Sequence, residues 1–238
     1  MKKCLKPRRG GDFGFTLSEV LIALVIIGVI AAITLPVLWS NYQEHAIRSA
    51  LKKNYSVLKQ ALDRYQADNS ERLIPSLFYE DTDNGYHLIK PTLMKYLNVM
   101  YDCGYGNIDV NASCIPNQDN TSYSGENTNS YKNYTGTANI TFNYFDDGQF
   151  VLNDGTLILL EDTTGITNYY ISADVNGFAK KPNRLGKDLF MFQLTDDGEL
   201  LPMGAKGTTY YTSADTYCSK TSQDSMNGAA CTAKVLKK

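Results

Sequence analysis

Hydrophobic and polar positions divide this chain into three regimes. Between residues 20 and 33 no polar side chain interrupts the sequence, and Thr34, Leu35, Pro36, Val37, Leu38 and Trp39 extend the apolar run. Its length is then about 20 residues, enough to cross a bilayer core. Past residue 40 the run becomes a stripe. Ile47, Leu51, Tyr55, Leu58, Leu62 and Tyr65 follow at intervals of three or four, one face of an amphipathic helix, while Lys52, Lys59, Asp63 and Gln66 occupy other faces. Neither Gly nor Pro interrupts 37–74. The pattern predicts one helix over 15–69, ~80 Å long at 1.5 Å per residue. Pro36 bends it by removing a backbone donor. The stripe reads as the face that packs on a globular domain.

The third regime is short apolar runs punctuated by turns. "NITFNYF" (139–145) alternates as a strand does, and "QFVLNDGTLILLE" reads as a hairpin turning at Asn153-Asp154-Gly155. "TNYYISADVNG" is a strand ending in a turn; "DLFMFQL", Asp196-Asp197-Gly198 and "ELLPMG" form a second hairpin. No long helical pattern separates these runs, which favours an antiparallel sheet. The expected fold class is α+β: a long N-terminal helix packed by its distal half on an antiparallel sheet. "KPTLMKYLNVM" (90–100) reads as a short helix, and the tail ends in another. Residues 101–136 are rich in Asn, Ser, Tyr and Gly and read as a long loop, a place for a subunit-specific contact or a solvated filler.

Charge sharpens the picture. The chain of 238 residues is 43% hydrophobic and 20% charged, which suits one globular domain with an appendage. Residues 1–14 carry five bases against one acid, +4, which leaves −6 for the rest of a chain of net charge −2. A mildly acidic body argues against nucleic acid as the main partner. A basic segment before an apolar helix stays cytoplasmic, so the chain beyond the helix faces the other side of the membrane. "LPVLWSNYQ" offers no small-residue cleavage site of the secretory kind. A cut between Gly14 and Phe15 would leave the apolar helix on the product.

"GFTLSE" (14–19) ahead of an apolar helix resembles the N-terminus of the type IV pilin and pseudopilin family. Gly14, Phe15, Thr16, Leu17 and Glu19 fall together just before the span, and Pro36 matches the family's recurrent helix-bending proline; Ser18 departs from the apolar residue usual before the Glu. The resemblance covers roughly residues 8–40. It implies a prepilin peptidase that cuts after Gly14 and usually methylates the Phe15 amine. It also gives Glu19 a role. A carboxylate near hydrocarbon is costly, and a neighbouring subunit's Phe15 amine would offset it and fix the register of assembly. The alternative is an ordinary acid at a helix N-terminus.

The segments so implied are a leader (1–14), a transmembrane and assembly helix (15–39), its amphipathic continuation (40–69), an insertion with loops (70–135), and the sheet with a C-terminal tail (136–238). The implied partners are other pilin or pseudopilin subunits, the prepilin peptidase, an inner-membrane assembly platform and membrane lipid. The implied location is the bacterial inner membrane, single-pass, with the C-terminal domain in the periplasm or outside. A pseudopilin of a type II secretion-like system leads; a surface type IV pilin for adhesion, motility or DNA uptake, or a membrane-anchored binding protein that never polymerises, are the other readings.

"DVNGFAKKPNRLGKDLFMF" (174–192) resembles a loop region of pseudopilin-type proteins. Asp174, Asn176 and Asp188 can converge oxygens on calcium, a hard cation wanting six to eight of them; equally, they can cap backbone groups in an Asx/Gly turn. Beyond calcium no cofactor is indicated. Cys4 lies in the leader, which leaves Cys103, Cys114, Cys218 and Cys231. Four cysteines allow three pairings. Cys103–Cys114 and Cys218–Cys231 are favoured because each closes a short, turn-rich segment in a disulfide-permissive compartment. A zinc site is the other reading, but the close C-x₂₋₄-C pairs are missing. His45 and His87 are the only histidines, no GxSxG, HExxH or P-loop occurs, and no catalytic residue is expected.

Overall fold

The computed structural model describes residues 14, 16–78, 89–104, 114–115, 131–162 and 168–237. The chain divides into two compact units, one up to His45 and one over Ala46–Lys238. Helix α1 (Leu17–Asn69) is continuous and contains Pro36. Leader residues 1–13, Phe15, His87 and most of the expected loop lie outside the described residues.

In the larger unit, α2 (Ile89–Tyr96) is followed by β1 (Val99–Asp102), β2 (Gly148–Leu152), β3 (Leu157–Asp162), β4 (Asn168–Asp174), β5 (Leu189–Thr195), β6 (Leu200–Pro202) and α3 (Cys231–Lys237). The strands form one sheet in the order of the chain, antiparallel throughout. Asn153-Asp154-Gly155 turns β2 into β3, and Asp196-Asp197-Gly198 turns β5 into β6.

One face of the sheet carries the stripe of α1. Leu51, Leu58, Ala61, Leu62 and Tyr65 share a core with Leu93 of α2 and with Phe150, Ile158, Ile171, Phe190 and Phe192. Tyr55 stacks on Phe192 with ring centroids 5.4 Å apart, and its hydroxyl donates to the Leu200 carbonyl at 3.2 Å. Two polar contacts set the helix against the β2–β3 turn. The Asn54 amide donates to Thr156 Oγ1 at 3.0 Å, and Lys53 pairs with Asp154 at 2.8 Å. The opposite face is also covered. Val151, Leu157, Leu159, Leu189 and Met191 bury against Tyr131, Phe145, Leu185, Met203, Met226 and Ala230. Burial on both faces explains why β2 and β5 read as nearly unbroken apolar runs.

Two disulfides lie in or beside this second core: Cys103–Cys114, with Cα atoms 5.9 Å apart, and Cys218–Cys231, 4.9 Å apart. Within the loop closed by the second disulfide, position 228 requires glycine. Its φ is +121°, and a Cβ there would stand 2.1 Å from the Leu185 carbonyl oxygen.

Two expected elements differ. Residues 139–145 do not form a strand: Asn139 makes an isolated bridge to Lys132, and Phe142–Tyr144 is a 3₁₀ turn closed by Phe145 N–H to Phe142 O at 2.8 Å. Phe142 and Phe145 both face the second core, and a spacing of three superposes on one side of a 3₁₀ turn but on opposite sides of a strand. The helix expected over 90–100 stops at Tyr96, because Val99–Asp102 pairs with β2 as the sheet's first strand.

Leu58 is 1% exposed. Leu58→Ala is expected to cost about 2–5 kcal/mol through lost burial and a cavity, read by urea denaturation of the detergent-solubilised chain. Cys218→Ser with Cys231→Ser is expected to cost about 3 kcal/mol, from a loop of this size released in the unfolded chain. Non-reducing peptide mapping of the unsubstituted protein should return both bridges.

Candidate functional site

The N-terminal unit presents the largest apolar surface of the described residues. An 18-residue window of α1 has mean hydropathy 3.0, and none of it is buried. Leu21, Val25, Ile26, Ile30, Ile33 and Leu38 all stand more than half exposed. The few polar groups are satisfied locally. Thr34 Oγ1 donates to the Ile30 carbonyl at 2.9 Å. Pro36 has no N–H to give the carbonyl of Ala32, four residues earlier. A surface of this length and composition fits hydrocarbon or other apolar helices.

Glu19 sits at the head of that helix. Its Oε2 accepts the Thr16 N–H at 2.8 Å and the Thr16 hydroxyl at 2.8 Å, and its own N–H donates to Thr16 Oγ1 at 3.3 Å. This is a reciprocal capping box, with Thr16 as N-cap and Glu19 three residues on. The T-x-x-E spacing in "TLSE" is its sequence signal. Gly14 is exposed just before it; Phe15 is outside the described residues. His45 is an exposed residue of α1.

The second candidate is the loop between β4 and β5, where Asp174 and Asp188 are both fully buried. Asp174 Oδ2 accepts the Tyr131 hydroxyl at 2.5 Å, while Oδ1 accepts the N–H of Gly177 at 3.0 Å and of Asn176 at 3.3 Å. Asp188 Oδ2 accepts Asn183 N–H at 2.7 Å, and Oδ1 accepts those of Arg184 at 2.6 Å and Leu189 at 3.2 Å. Asn176 turns its amide to the carbonyls of Lys180 and Lys181. Asn183 adopts a left-handed φ of +52°, which its side chain tolerates. Gly177, at φ +81°, would place a Cβ 2.5 Å from the Gly155 carbonyl, so the loop lies directly on the β2–β3 turn. Tyr131 is the partner that the sequence did not reveal, 43 residues from Asp174.

Burial and the nearby Asp188 push the Asp174 carboxyl up to about 7, and burial raises Asp188 as well. For a raised carboxyl, stability is fully present below the unfolded value near 3.8 and is lost as pH rises through about 7. Melting temperatures of the full chain should therefore fall between pH 4 and 7. Asp174→Asn should flatten that fall by up to ~1.4 kcal/mol per pH unit; an unchanged pH profile would remove Asp174 as a contributor.

Residues 10–35 match the prokaryotic N-terminal methylation motif family. The chain is 33% identical over 88 residues to the type II secretion system core protein G of Klebsiella michiganensis, covering 36% of this chain and 56% of that protein. It is 33% identical over 94 residues to the protein of the same name from Aeromonas hydrophila, covering 39% and 60%. With the one from Vibrio cholerae it shares 37% identity over 81 residues, covering 33% and 50%. The chain thus spans between 50% and 60% of the length of these three relatives. No solved structure matches it significantly. In the methylation motif at its N-terminus and in these relatives, the chain is similar to the pilin and pseudopilin family.

Proposed function

We propose that this chain is a pseudopilin of a type II secretion-like system. It is made with a leader that a prepilin peptidase removes after Gly14. It is held in the inner membrane by the apolar part of α1, with the sheet-bearing unit on the periplasmic side. It polymerises with other pseudopilins through α1. The observation that carries this reading is the motif "GFTLSE" set directly before an apolar helical stretch of which nothing is buried. The relatives' name favours a secretion pseudopilin over a surface pilus.

Asp174 and Asp188 are read as turn caps rather than calcium ligands, because backbone and tyrosine donors already point at all four carboxylate oxygens. On that reading Asp174→Asn leaves any calcium response of the full chain unchanged.

Processing is tested by intact mass. Protein extracted from membranes of a host with an active prepilin peptidase should lack residues 1–14 and carry one added methyl; an uncut chain there would overturn the reading. Glu19 separates two roles. Glu19→Gln keeps an oxygen acceptor for the cap but loses the charge, whereas Glu19→Ala loses both. An acid in the first helical turn is itself worth about 0.3–1 kcal/mol. If Glu19 pairs with a neighbour's terminal amine, both variants insert normally and both lose subunit cross-links and secretion. If it only caps, Gln is tolerated.

A further inference from the structure

A cluster of carboxylates lies away from both sites above. Asp146, Asp147 and Glu161 each offer a carboxylate oxygen, and the three oxygens lie within 4.8 Å of one another. The backbone holds them there. Phe145, 1% exposed, anchors the chain in the second core just before Asp146. The Asp147 N–H donates to the Leu160 carbonyl at 3.0 Å, and Gly148 pairs with Leu160, so the two aspartates stand beside the end of β3. Glu161 is the inner member. It is 8% exposed, and its Oε2 is buried with no hydrogen-bond partner among the described residues. Asp146 and Asp147 are only partly buried, which leaves a solvent side to the cluster.

From this juxtaposition we propose that Asp146, Asp147 and Glu161 form a binding site for a hard divalent cation of the calcium class. Two oxygens that share a calcium ion at 2.3–2.6 Å can stand at most about 5 Å apart. The observed separations fit that limit as they are; magnesium dehydrates reluctantly and demands a stricter octahedral shell. Three carboxylates supply up to six oxygens, and water on the exposed side completes a shell of six to eight. Carboxylate ligands alone suit a hard ion rather than zinc or copper. The site is independent of the Asp174–Asp188 loop.

The test is calorimetric titration of the metal-stripped, detergent-solubilised full chain with calcium chloride, repeated with magnesium chloride. Saturation near one equivalent is expected, with a Kd on the order of 10⁻⁴ to 10⁻³ M, as in extracellular calcium modules. Magnesium should bind more weakly. Glu161→Gln and, separately, Asp147→Asn should each weaken calcium binding at least ~tenfold, with an unchanged far-ultraviolet circular dichroism spectrum, whereas Asp174→Asn should bind as the unsubstituted chain does. No saturable heat up to about 10 mM calcium, equal binding in Glu161→Gln and Asp147→Asn, or binding lost only in Asp174→Asn would each overturn the proposal.

Discussion

The apolar surface of α1 between Leu17 and Trp39 is the constraint to which the rest of the structure answers. Side chains such as Ile33, 69% exposed, stand bare among the described residues. At roughly 25 cal/mol per Å² of apolar area, a helix turn of Ile, Leu and Val left in water is costly enough to force association or insertion. Polar groups within this stretch turn back on the helix: the Thr34 hydroxyl donates a hydrogen bond to the Ile30 carbonyl, and the capping box closes the N-terminal end. Such a helix has two outlets, lipid and other helices of its kind, and a filament subunit drawn from a membrane would use both in turn.

The larger unit solves a different problem. Its sheet is buried on both faces, by regular structure on one side and by irregular chain on the other. The α1 face needs no covalent help, since Leu51, Leu58 and Leu62 give it a continuous stripe. The opposite face is built from Tyr131, Met203, Met226, Ala229 and Ala230, which come from segments with few ladder hydrogen bonds. There the two disulfides lie, restricting the part of the chain with the most conformational freedom to lose.

Legibility followed the same division. The helix was readable because its apolar positions repeat at three and four, and both hairpins because Asn-Asp-Gly and Asp-Asp-Gly interrupt apolar runs. The 139–145 segment misled because Ile140, Phe142 and Tyr144 alternate; the contact that decides its shape is Phe142 with Phe145, ring centroids 6.2 Å apart, both turned to a core no local pattern announces. β1 could not be read because Val99 is only half-buried and its partner Leu152 is far along the chain. At the sites the limit was range. The Thr16–Glu19 box is local and was present in the letters, whereas the Tyr131–Asp174 bond and the meeting of Asp146 with Glu161 require the folded sheet.

The capping box bears on assembly in a way that neither the motif nor the helix shows alone. In the uncut chain, Oε2 of Glu19 closes the Thr16 end of the helix, where exposed N–H groups and the helix dipole both favour an anion. On the proposed reading, cutting at Gly14 creates a positive amine one residue before Thr16. That charge opposes the dipole at the very end that Glu19 had stabilised. Glu19 is then the nearest fixed anion in the sequence, and an amine reaching it from a neighbouring subunit would relieve two unfavourable charges in the membrane with one contact. On that reading, cleavage would change the capping acid from a local helix cap into a charge that seeks a partner, and a single carboxylate would couple maturation to polymerisation.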